Sequence, residues 1–93
     1  MRVIDIDQIN NIENHIHYIK EYEGRLVLMD KMARIIRNPI KFSIEYKPMG
    51  APDIKINLPE NSLITETDPI LSKVIEKIHK LDTDGTLSAL LKS

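Results

Sequence analysis

Apolar and polar residues alternate strictly over residues 40–58. Ile40, Phe42, Ile44 and Tyr46 interleave with Lys41, Ser43, Glu45 and Lys47, and Ile54, Ile56 and Leu58 interleave with Asp53, Lys55 and Asn57. A period of two places one set on each face of a sheet. The Pro48-Met49-Gly50-Ala51-Pro52 stretch between the runs removes backbone donors and permits a tight reversal, so the segment predicts a β-hairpin. Two strands alone are marginal in water, and the apolar face of the hairpin requires a cover.

Upstream the spacing changes. Ile9, Ile12, Ile16, Ile19, Tyr22, Leu26, Met29, Ala33 and Ile36 recur at intervals of three and four, the stripe of an amphipathic α-helix. Asp7 stands where an N-cap belongs, and Asn38-Pro39 supplies a stop. These signals predict a helix over 7–37. Gly24 is its weak point, because glycine in a helix interior costs about 1 kcal/mol relative to alanine. In the alternative the helix breaks at 24, residues 25–29 become a strand, and the chain folds back on itself within a monomer.

Downstream, Asp68-Pro69 marks a helix start. Leu71, Val74, Ile75, Ile78 and Leu81 form the buried stripe of a helix over 68–81, with Lys73, Lys77 and Lys80 on its wet side, and a short helix follows over 86–92. The expected fold is therefore a single α+β domain over 1–93: a long N-terminal helix, a central β-hairpin and a C-terminal helix packed on one sheet face.

The chain has 93 residues, no cysteine and only four aromatic residues, Phe42 and three tyrosines. Disulfide and thiolate chemistry are excluded, and base-stacking platforms are disfavoured. The apolar runs are far shorter than the roughly 18 residues of a membrane span, so the expected location is the cytoplasm and no membrane partner is expected.

Candidate chemistry is sparse. The acidic stretch from Asp82 places Gly85 at the fourth position and Ser93 at the twelfth, which is not the spacing of a calcium-binding loop. His15 and His17 diverge by about 200° on a helix, so no metal site is expected. The carboxylates Glu13, Glu21, Glu23, Glu45, Glu60, Glu66 and Glu76 fall at positions read as exposed, with no histidine beside any of them in an apolar context. No catalytic residue and no cofactor are expected, and an enzyme ranks third among the functional readings.

Charge adds one feature. Residues 1–24 carry net −3, 25–55 net +4 and 56–93 net −2. Arg34, Arg37 and Lys41 would gather at the end of the long helix. There they either complement the helix dipole or form a small-anion, nucleotide-like binding site, while the acidic flanks disfavour duplex nucleic acid. A continuous helix over 7–37 would be about 45 Å long, beyond the reach of so small a domain. Ile9, Ile12, Ile16 and Ile19 would then need a second copy of the chain to cover them. The leading functional expectation is a small non-enzymatic interaction or regulatory protein acting through protein contact as a homodimer, its protein partner unidentified. The second is the anion-binding module.

Overall fold

In the structure, a computed structural model that describes residues 1–65 and 67–91, the chain up to Asn57 forms strands joined by loops and turns. Strands β1 (Arg2–Ile12), β2 (Ile19–Met29), β3 (Ile35–Glu45) and β4 (Asp53–Asn57) form an antiparallel meander in the order β1-β2-β3-β4. Helices α1 (Ile70–Thr83) and α2 (Thr86–Leu91) follow.

The hairpin read over 40–58 is present as the β3–β4 pair, with Phe42 opposite Ile56 and Ile44 opposite Ile54. The helix over 7–37 is not: those residues form most of β1, all of β2 and the first part of β3. The α+β layout of a long amphipathic N-terminal helix over a single hairpin is thereby overturned, and a four-stranded sheet with short C-terminal helices replaces it. Of the expected helix over 86–92, Lys92 lies outside the described residues, as do Glu66 and Ser93.

Two bulges explain why strand sequence looked helical. Between Val3↔Leu28 and Ile6↔Leu26, β1 advances three residues while β2 advances two, and a second shift follows between Asp7 and Asn10, where Gln8 takes φ 54°. Each bulge inserts one unpaired residue and moves the next inward side chain one place along. Val3, Ile6 and Ile9, all packed on one core, therefore recur every third residue. In β2 the inward set is Tyr22, Leu26 and Leu28, interrupted by Gly24, while Val27 is buried against the other face.

Gly24 has a packing role. A Cβ there would lie 3.1 Å from the Asp7 carbonyl oxygen and 3.3 Å from Ile9 Cγ1, so the bulge of β1 occupies the space a side chain would need. In a helix, Gly24→Ala would stabilise. Here it crowds backbone, and the expected result is a loss of roughly 1–3 kcal/mol, read from the urea midpoint.

Pro39 does not end an element but lies inside β3. The β4 register stops at Lys41↔Asn57, so Pro39 sits past the end of β4, where one side of β3 is an edge and a missing donor is tolerated.

On the inward face Ile40, Phe42 and Ile44 are 2% exposed or less, and α1 covers them with Ile70, Val74, Ile78 and Leu81. Phe42 stacks on Tyr22 with ring centroids 5.2 Å apart. Asn38, the one buried polar residue among the described residues, fastens the connection to α1. Its amide nitrogen donates to Ser62 Oγ (2.9 Å) and the Pro39 carbonyl (3.2 Å), and its oxygen accepts the Leu63 N–H (2.9 Å). The Asp68 carboxylate accepts the Ile70 N–H at 3.0 Å where α1 begins. No helix among the described residues is long and apolar enough to cross a membrane.

Candidate functional site

The helices cover one face of the sheet, and the side chains on the other face follow from the register. β2 presents Ile19, Glu21, Glu23, Arg25, Val27 and Met29, and β3 presents Ile35, Arg37, Pro39, Lys41, Ser43 and Glu45. β4 adds Asp53, Lys55 and Asn57. An antiparallel sheet commonly keeps one such face toward water. In its central rows Glu21 and Glu23 of β2 stand beside Lys41 of β3 and Lys55 of β4, while Arg25, Glu45 and Asp53 carry the opposite sign on the same strands.

At one place the face is cross-braced. Arg25 Nε donates to Asp7 Oδ1 at 3.0 Å and its Nη2 to Oδ2 at 3.2 Å, a two-point pair across β1 and β2. Both partners are partly exposed, so the bridge contributes about 0–1 kcal/mol and serves mainly to hold the arginine in place. Beside it a shallow groove of about 550 Å³ runs between the bulge of β1 and the end of β4, lined by Gln8, Asn10, Glu23, Lys41, Asn57 and Pro39 among others.

The three cations read as one group are separated. Arg34 lies in the β2–β3 turn, where its Nε donates to Asp30 Oδ2 at 2.7 Å. Asp30 Oδ1 also accepts the N–H groups of Met32 and Arg34, both at 2.9 Å. These bonds, led by the Arg34 N–H, hold the Asp30 carboxyl below its usual range. Arg37 and Lys41 share the uncovered face, four residues apart along β3 and hence ~13 Å apart along the strand. Neither has an ion-pair partner within 4.0 Å among the described residues.

The four isoleucines are not one stripe either. Ile9 packs against the core, Ile12 pairs opposite Glu21 at the end of β1, Ile16 lies exposed in the β1–β2 loop, and Ile19 begins β2 opposite Glu45. His15 and His17 are exposed in that same loop, and His79 is exposed on α1.

Other perturbed groups serve turns and closures. Tyr46 O–H donates to Asp82 Oδ1 at 2.6 Å, tying the end of β3 to the end of α1, and burial followed by this bond raises its phenol. Burial likewise raises Tyr22, whose hydroxyl is enclosed without a partner among the described residues. The Thr86 hydroxyl and N–H lower Asp84, which caps α2. Lys47 is raised by Asp53, 2.7 Å away beside the β3–β4 turn.

Sequence reasoning missed Asn38 and Tyr46. The first was read as a helix stop, and the second as one more apolar position of the hairpin. The signal for Asn38 was its even place in the Ile36 to Ile44 alternation, which puts an amide among inward residues. No protein-family model, no curated protein and no solved structure matches this chain.

Proposed function

We propose that the protein is a non-enzymatic interaction module that acts through protein contact as a homo-oligomer, with the uncovered sheet face as its working surface. The observation that supports this is the opposition of Glu23 on β2 and Lys41 on β3 in the central row of that face. A two-fold axis parallel to the strands lays β2 of one copy over β3 of the other. Glu23 then meets Lys41, Glu21 meets Ser43, and Met29 meets Ile35. Sheets stacked this way lie about 10 Å apart with strands nearly aligned. An axis across the strands would instead set β2 over β2 in reverse and leave Glu23 and Lys41 on strands that do not meet. The surface is self-complementary at Glu23 and Lys41 in the first orientation, and such charge pairing favours one register.

The perturbed carboxyls Asp30 and Asp84 and the Tyr46 phenol support a non-enzymatic reading, since they fasten a turn, a helix start and a contact between elements. Capture of a small anion is less well supported, because Arg34 is engaged by Asp30 and leaves two cations ~13 Å apart. The location proposed with this reading is the cytoplasm. Light scattering on a sizing column tests it: the wild-type chain should elute at twice the mass of one chain, and Glu23→Lys at the mass of one. A wild-type monomer at high micromolar concentration would contradict the proposal.

A further inference from the structure

The lysines of α1 are not used by the sheet-face contact. Lys73, Lys77 and Lys80 lie along the flank of the helix that faces the start of β1 and line a groove of about 680 Å³, at whose edge Arg2 turns its guanidinium toward Met29 Sδ, 3.7 Å away. Val3 and Ile70 contribute to its apolar lining. Two acids also line it. Asp68 is engaged by the Ile70 N–H, and Glu76 is 3.6 Å from Lys73. A third acid, Asp5, is 3.5 Å from Lys77. Both ion pairs are long and partly exposed, so a better-placed carboxylate can displace them.

β1 is an edge of the sheet, with β2 on its only paired side among the described residues. An edge strand offers backbone donors and acceptors to another extended chain, and a helix alongside it provides side-chain pockets. We infer that this groove binds an extended acidic peptide segment, laid along the start of β1 with its carboxylates toward Lys73 and Lys80 and its alternate apolar side chains over Val3 and Ile70. A single-stranded nucleic acid would find the cations but no aromatic ring among the lining residues and no use for a strand edge. The bulge at Ile4 restricts the backbone pairing to a short run, so the cationic wall sets the preference for acidic sequence.

The full chain, isotopically labelled for amide NMR, should be titrated with a peptide of alternating glutamate and valine. Parallel titrations use alternating lysine and valine and an oligothymidylate. The acidic peptide should give saturable shifts at Arg2, Val3, Ile4 and the α1 lysines, and the basic peptide none. Lys73→Glu with Lys80→Glu, both at exposed positions, should weaken the acidic peptide by roughly tenfold or more with the melt unchanged. Glu23→Lys, which disrupts the sheet-face contact, should bind the peptide like wild type. Equal binding of the basic peptide, preference for the oligonucleotide, shifts confined to the uncovered face, or no saturable shift would each overturn the inference.

Discussion

Val74→Asp should abolish cooperative unfolding altogether. Val74 is 0% exposed at the centre of the α1 contact with the sheet. A carboxylate there either remains charged without a partner or takes up a proton while still losing its hydration, and both outcomes cost several kcal/mol. A domain of this size has about 5–15 kcal/mol in total, so the helix should leave the sheet. Ile75, the next residue on the same helix, is 38% exposed, and Ile75→Asp should keep a sharp thermal transition. Far-ultraviolet circular dichroism melts of the two variants side by side measure which flank of α1 is docked. Two similar melts would contradict the packing.

Phe42→Ala should be the most costly truncation in the sheet, about 3–5 kcal/mol by the usual scale for a buried aromatic. Phe42 is 1% exposed and lies between Tyr22 on β2 and Ile56 on β4, so its loss opens a cavity shared by three strands. The stacked ring of Tyr22 loses its neighbour at the same time. Urea unfolding should show the midpoint falling with little change of slope. A loss below 1 kcal/mol would mean that the core does not close over this residue.

These expectations rest on parts of the chain that were unequally legible. Residues 40–58 alternate cleanly because β3 and β4 pair there without a bulge, so the physical period of two survives in the sequence. In β1 it does not survive. Extra residues near Ile4 and Gln8 stretch the inward positions to Val3, Ile6 and Ile9, a spacing that helices also produce. In β2 the inward place at 24 is glycine, since Asp7 and Ile9 fill its space, and Leu26-Val27-Leu28-Met29 is apolar on both faces. Each feature removes one alternation, and the isoleucines left over line up at intervals of three and four. Pro39 completed the illusion by resembling a helix stop, although a strand edge accommodates it.

The site followed the fold. Arg34, Arg37 and Lys41 cluster only if 3.6 residues make a turn; on a strand, 34 and 37 fall on opposite parities, and the turn claims Arg34 for Asp30. What was legible without the fold was the charge sum of each third of the chain. Its basic middle became the end of β2, β3 and the start of β4, and its acidic start became β1 and the first part of β2. The opposition of Glu23 and Lys41 on the uncovered face is that linear pattern folded once.

Whether that face is an interface is decided most directly by mixing two single-charge variants, Glu23→Lys and Lys41→Glu. Each alone sets like charges against each other across the proposed two-fold axis and should run as a monomer. Together they place lysine opposite glutamate at both sites, because residue 23 of either copy meets residue 41 of the other. Sedimentation equilibrium of the equimolar mixture should therefore recover a species of two chains. Cross-strand repair within one chain cannot produce this result, since each variant keeps its own altered neighbour. A mixture that stays monomeric while the wild type dimerises, or variants that dimerise as well alone as together, would contradict the account.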